Sequence, residues 1–225
     1  MLISALPYVE QLHLSGPVIT YNGAYVKDIL QDKVVYHKPV SLDLALSIIK
    51  DCKQEDLHLN YYEDDQLFVE EKNSLSRAYE ISSGVDAREV GSLSQFASKD
   101  PTKLLVIENN RERHQYYLNH FRNKYSNQLE ITESKKHYIE FTSRNVCKGN
   151  SLEFVARKLG YKQNEIIAVG DGGNDLHMIQ WAGLGVAMAN AAPEVKNAAD
   201  MITSSNTEEG VAEIEEKIFM ITHKD

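Results

Sequence analysis

Residues 166–200, IIAVGDGGNDLHMIQWAGLGVAMANAAPEVKNAAD, carry the decision about the fold. They open on a short apolar run, EIIAV at 165–169. An unalternating run of this kind suits a strand buried on both faces of a parallel sheet, because neither face is left polar for water. Gly170 lets the chain turn sharply, and the pattern predicts a helix over 173–182. A strand at 184–187, a helix at 193–199, a strand at 201–203 and a helix at 207–219 follow. Strands and helices alternate at the spacing that right-handed crossovers need, so this third of the chain reads as α/β with a parallel sheet.

Working upstream, a helix is expected over 150–159, closed by Gly160. The middle of the chain differs. Strands at 57–62 and 67–70 flank Glu63-Asp64-Asp65, and strands at 129–133 and 137–142 flank Ser134-Lys135-Lys136. Between them lie helices at 42–53, 73–82 and 110–125 and a strand at 103–108, with Ser41 as the expected cap of the first helix. Hairpins mixed with helices indicate an α+β module on an antiparallel sheet. A helix over 2–12 and the strand PVITY at 17–21, closed by Asn22-Gly23, precede it. The expected division is therefore 1–30 and 144–225 as two parts of a Rossmann-like core, with 31–143 inserted between them.

Composition narrows the function. The chain has 225 residues, with Lys+Arg 24 against Asp+Glu 33 and a net charge of -9. That balance excludes a protein that coats nucleic acid, which needs a basic excess to neutralise phosphates. No apolar run approaches the ~18 residues of a membrane span. Two scattered cysteines, Cys52 and Cys147, read as reduced thiols of a cytoplasmic protein. The histidines form no zinc pattern.

Three signals carry chemistry. Asp171 and Asp175 lie just beyond a strand of the parallel sheet, where open α/β sheets bind ligands. Carboxylates there suit Mg²⁺, a hard cation that takes oxygen ligands and keeps water. Amides at the start of the next helix are expected to point into the same cleft. Two plainer readings remain open: a glycine turn of the dinucleotide type, although GDGGND is not GxGxxG, and simple helix capping. Lys148 opens a helix, where the macrodipole disfavours a cation unless it meets an anion such as phosphate; a solvated surface lysine is the plainer alternative. Tyr21-Asn22-Gly23-Ala24 ends another strand and by itself is a turn. His58, Tyr61, Tyr62 and Glu63–Asp65 read first as sheet packing and a solvated hairpin tip, and Trp181 as core.

The order of these elements resembles the Cof-type, sugar-phosphatase-like branch of the haloacid dehalogenase superfamily. The matching stretches are GPVITYNGAYV at 16–26, CKGNSLEFVARKLGY at 147–161, residues 166–200, and TSSNTEEGVAEI at 203–214. The resemblance implies a Rossmannoid core with an inserted cap of type IIB, and a Mg²⁺-dependent phosphatase of small phosphorylated metabolites, sugar phosphates above all. Lys148 would match the phosphate-neutralising lysine and Asp171 the acidic Mg²⁺ ligand. Asp175 would support the metal shell, Asn174 would contact phosphate, and Asn22 and Gly23 would lie at the mouth of the cleft. The cap would exclude water and choose the substrate.

In that family the nucleophile is the first aspartate of an Asp-x-Asp-Gly-Thr strand. The sequence contains no Asp-x-Asp, so no catalytic nucleophile is assigned. The expectation is an incomplete, N-terminally truncated core that lacks its first strand and shows little or no turnover. The alternative is a non-catalytic protein, derived from a phosphatase, that binds phosphate ligands or partners. An exposed sheet edge would favour self-association into a homo-oligomer.

Overall fold

The computed structural model describes residues 1–222. Packing divides the chain into two compact units, Met1–Val146 and Cys147–Asp225. The fold class is the one expected: an α/β Rossmannoid core with an inserted α+β cap. Among the described residues, no helix is long and apolar enough to cross a membrane.

The first unit opens with α1 (Leu2–Gln11) and a three-stranded antiparallel sheet of β1 (Pro17–Thr20), β2 (Tyr25–Asp28) and β3 (Lys33–His37). Its larger part comprises α2 (Leu42–Gln54), β4 (His58–Glu63), β5 (Gln66–Val69), α3 (Ser74–Ser83), β6 (Ala87–Glu89), α4 (Leu93–Phe96), β7 (Lys103–Ile107), α5 (Arg111–Tyr125), β8 (Leu129–Glu133) and β9 (Tyr138–Ser143). The strands form one sheet in the order β6-β5-β4-β7-β9-β8, antiparallel except at β5–β6.

The two-residue period of the strands divides this sheet into two apolar faces. On one face Leu59, Tyr61, Leu104, Val106, Ile139 and Phe141 pack against Ile48, Ile49 and Cys52 of α2 and Leu118 and Phe121 of α5. On the other, Tyr62, Leu67, Leu105, Ile107 and Tyr138 pack against Tyr79 of α3 and against Tyr21 and Ala24 beside β1. Tyr61 and Tyr62 are fully buried, so they pack as the plainer reading held. Both ring nitrogens of His58 are engaged, by Asn60 at 2.9 Å and Asn73 at 3.1 Å.

The second unit comprises α6 (Lys148–Leu159), β10 (Ile167–Gly170), α7 (Leu176–Trp181), β11 (Leu184–Met188), α8 (Pro193–Ala198), β12 (Met201–Thr203) and α9 (Gly210–Thr222). The strands are parallel in the order β10-β11-β12. Ile179, Ala187, Ala191 and Val195 form the core beneath them.

Several sequence expectations are corrected. β10 is not buried on both faces: its Ile167 is 38% exposed, because β10 is an edge strand whose ladder partner among the described residues is β11. The fully flanked strand is β11. Ser41 makes no side-chain cap; Asp100 accepts the amide of Leu42 at 2.7 Å instead. The Glu63–Asp65 tip is not simply solvated, since Asp65 accepts the amides of Leu2 and Ile3 at 2.9 and 2.8 Å. Trp181 is only half-buried. β2, β6 and α4 were not foreseen; the first two are short strands that the turn residues around them disguise.

Phe121 tests the cap core. It is fully buried with its ring edge-on to Phe141 at 5.0 Å. Replacing it with Ala is expected to cost about 3–5 kcal/mol of the first unit's stability, read by urea titration.

Candidate functional site

The GDGGND loop is organised by one carboxylate. β10 ends at Gly170, and Gly173–Asp175 form a single 3₁₀ turn before α7. Asp175 is 5% exposed. Its Oδ2 accepts the backbone amides of Asp171 and Gly172, both at 3.0 Å, which folds the loop back over the strand end. Asp175 thus occupies the amides of Asp171 and Gly172, the two that precede the 3₁₀ turn. The side chain lies so close to the strand that a Cβ on Gly170 would fall 2.5 Å from the Asp175 Cβ. Glycine at 170 is thus a spatial requirement of the carboxylate.

The other oxygen, Oδ1, accepts from Lys148 Nζ. Lys148 is the first residue of α6, and the Sγ of Cys147 caps that helix by accepting the amide of Asn150 at 3.4 Å. The helix starts two residues earlier than its apolar periodicity predicts, because the added residues, Lys148 and Gly149, carry no apolar side chain to extend the pattern. α6 can approach α7 closely because residue 149 is glycine. A Cβ there would lie 2.7 Å from the carbonyl carbon and oxygen of His177. The cation at a helix N-terminus, unfavourable in isolation, is offset by a buried anion.

Asp171 is the opposite case. It is exposed, and its Oδ2 accepts from Asn190 Nδ2 at 2.8 Å. Asn190 lies just beyond β11, and its own Oδ1 accepts the amide of Asn206, beyond β12, at 2.9 Å. The loops after all three parallel strands are thus tied together at the carboxyl end of the sheet, where such sheets bind ligands. The Ser204 loop is held in turn by Glu213, whose carboxyl is kept at about 2 by Lys217 and by bonds from Ser204 and Thr203. Sequence reading missed Asn190; its one signal was an amide side chain directly after an apolar strand. Asn174 sits half-buried on the 3₁₀ turn between the two aspartates.

The structure therefore brings Lys148, Asp171, Asn174 and Asp175 together within one unit. Asn22 and Gly23 belong to the other unit, on a 3₁₀ turn after β1. Gly23 has φ +105°, which favours glycine.

The donor chemistry bears on Mg²⁺. Asp175 has both oxygens committed to protein donors, which leaves Asp171 as the carboxylate facing solvent. Among the described residues, no group of three or more His, Cys, Asp or Glu is placed to hold a metal. One carboxylate suits a cation that keeps its waters and completes its shell with phosphate oxygens, as Mg²⁺ does. The same set would be too sparse for zinc.

Stability separates the two aspartates. Asp175→Ala strands two amides and Lys148, and is expected to cost about 3 kcal/mol. Asp171→Ala is expected to stay within about 0.5 kcal/mol of the parent. Urea unfolding followed by the single tryptophan, Trp181 at the end of α7, reads both.

Comparison with known proteins adds the relationships. The haloacid dehalogenase-like hydrolase family model matches residues 1–214. The chain is 28% identical over 228 residues to the 5-amino-6-(5-phospho-D-ribitylamino)uracil phosphatase YitU of Bacillus subtilis, covering 97% of this chain and 82% of that one. Its fold is similar to that of Thermotoga maritima TM0651, with TM-score 0.84 at 33% identity, covering 96% of this chain and 81% of the other. A haloacid dehalogenase-like hydrolase from Bacteroides thetaiotaomicron superposes with TM-score 0.87 at 25% identity, over 96% of this chain and 82% of that one.

Proposed function

The chain belongs to the haloacid dehalogenase-like hydrolase family and is related to its Cof-type phosphatases, and on that premise we propose that it handles small phosphate monoesters, sugar phosphates above all, with Mg²⁺. The observation that carries this reading is the Lys148–Asp175 pair beside an exposed Asp171 at the carboxyl end of the parallel strands. The name of the relative YitU states a phosphorylated substrate.

In this reading Asp175 is a positioning residue. It fixes the loop through two amides and fixes Lys148 through its other oxygen. Lys148 is then held at the strand ends, 33% exposed at its side chain, to neutralise an incoming phosphate. Asp171 would hold Mg²⁺, with Asn190 orienting the carboxylate. When bound, the ion supplies positive charge to the phosphoryl oxygens, which is the main need of phosphoryl transfer. Asn174 would contact phosphate, and Asn22 and Gly23 are proposed to contribute to phosphate binding as well. Residues 31–143 form a type IIB cap between core parts 1–30 and 144–225. The free thiols Cys52 and Cys147 support a reducing, cytoplasmic setting.

A second reading has its own observation. No Asp-x-Asp occurs in residues 1–225, so these residues supply no family nucleophile. They would bind phosphate without turning it over.

Calorimetry with inorganic phosphate, with and without Mg²⁺, tests the binding claim, and p-nitrophenyl phosphate tests turnover. Residues 1–225 are expected to bind phosphate more tightly with Mg²⁺. Lys148→Gln should weaken that binding by about tenfold or more, the worth of one charge-assisted hydrogen bond. Hydrolysis should stay far below the ~1 s⁻¹ of ordinary enzymes. Phosphate binding indifferent to both Mg²⁺ and Lys148 would sink the proposal, and turnover at ordinary rates would sink the nucleophile argument.

A further inference from the structure

The turn after β1 holds two successive non-glycine residues in the left-handed region: Tyr21 at φ +53° and Asn22 at φ +56°. Asparagine tolerates this region, but a bulky aromatic residue rarely does. Such a conformation persists only where surrounding structure imposes it. Locally, Ala24 N–H bonds to Tyr21 C=O at 3.0 Å, Thr20 Oγ1 donates to Tyr25 C=O at 3.4 Å, and β1 pairs with β2 across the turn. Further restraints come from far along the sequence.

Tyr21 is held by the β4–β5 hairpin. Its hydroxyl donates to Asp65 Oδ1 at 2.7 Å, and its ring stands edge-on to Tyr62 at 6.0 Å. Burial, and then Asp65, push the phenol well above its ordinary range, so it stays a donor. Asn22 is held by β9, its Nδ2 donating to Glu140 Oε2.

Glu140 is 5% exposed and is supported on all sides. Ser134 Oγ donates to its Oε1 at 2.7 Å, and Lys103 Nζ lies 3.2 Å away on β7. Lys103 also stands 4.9 Å from the Tyr62 ring centre and 6.0 Å from that of Tyr21. Burial would raise the Glu140 carboxyl, but Lys103, Ser134 and Asn22 outweigh it and hold the group below its usual range. Glu140 thus remains a charged acceptor in the sheet interior. A buried ion pair adds little stability over apolar packing of the same volume, so its use here calls for another account.

We infer that Glu140 and Asp65 are positioning residues that hold the Tyr21–Asn22 turn in its left-handed conformation, so that the intact cap sheet sets how Asn22 is presented at its strand end. The pairing of Asn22 with Glu140, 118 residues away, makes the geometry of the turn a property of the six-stranded sheet. The consequence for ligand binding rests on the proposed role of Asn22 beside phosphate; the positioning itself does not.

The test uses the full chain labelled with ¹³C and ¹⁵N. The Cα and Cβ shifts of Tyr21 and Asn22 report the left-handed turn directly, without ligand. Glu140→Ala is expected to move both residues to coil values. Glu140→Gln, whose amide oxygen still accepts from Asn22, should keep most of the left-handed signature. Should Glu140→Ala fail to fold because Lys103 is left unpaired, Lys103→Met with Glu140→Ala removes both charges and should show the same loss. Left-handed shifts retained in both Glu140→Ala backgrounds would overturn the assignment. Phosphate affinity with Mg²⁺ is then read on the same samples. Asn22→Ala and Glu140→Ala should each weaken it by about tenfold, and the double variant no further, as expected for one coupled unit. If the shifts move but Asn22→Ala leaves phosphate affinity unchanged, the positioning stands and the phosphate role of Asn22 falls.

Discussion

The second unit depends on what the Asp175 carboxylate accepts. One oxygen gathers two amides of the loop after β10, and the other takes the ammonium of Lys148. Three donors that would otherwise be costly to bury are satisfied by one side chain. The sequence around it is constrained accordingly. Gly170 leaves room for the carboxylate, and Gly149 lets α6 lie against α7 so that Lys148 arrives. Neither glycine is at a positive φ, so close approach, and not backbone freedom, is what requires them.

This arrangement divides labour between two aspartates four positions apart. The buried one is consumed in building the site. The exposed one keeps an oxygen face toward solvent, steadied by Asn190 from the neighbouring loop. Carboxylates of identical chemistry therefore differ in role because one lies under the 3₁₀ turn and the other at the strand mouth. For the proposed phosphate ligand, in a protein of net charge -9, a fixed lysine and a cation would be the natural sources of attraction.

The first unit repeats the theme with different parts. There a buried anion, Glu140, is held by Lys103 and Ser134 and in turn holds Asn22. In both units an acidic side chain in the interior sets the pose of a polar residue at a strand end. The difference lies in range. Asp175 acts within a local loop and one adjacent helix, whereas Glu140 reaches across the whole of the inserted module.

The sequence by itself determined the order and type of most elements, because apolar periodicity and turn residues are local. It also marked the strand end at Gly170–Asp175 and the lysine at 148 as places for chemistry, and the motif order identified the family. What it left undecided was every question of partnership. Apolar content alone could not show that β10 is an edge strand, since that depends on which strands pair. Nor could it separate Asp171 from Asp175, reveal Asn190, or foresee that Asp65 and Glu140 grip a turn 44 and 118 residues away. Those assignments arise from hydrogen bonds closed between distant segments, and only the tertiary structure brings their donors and acceptors within reach.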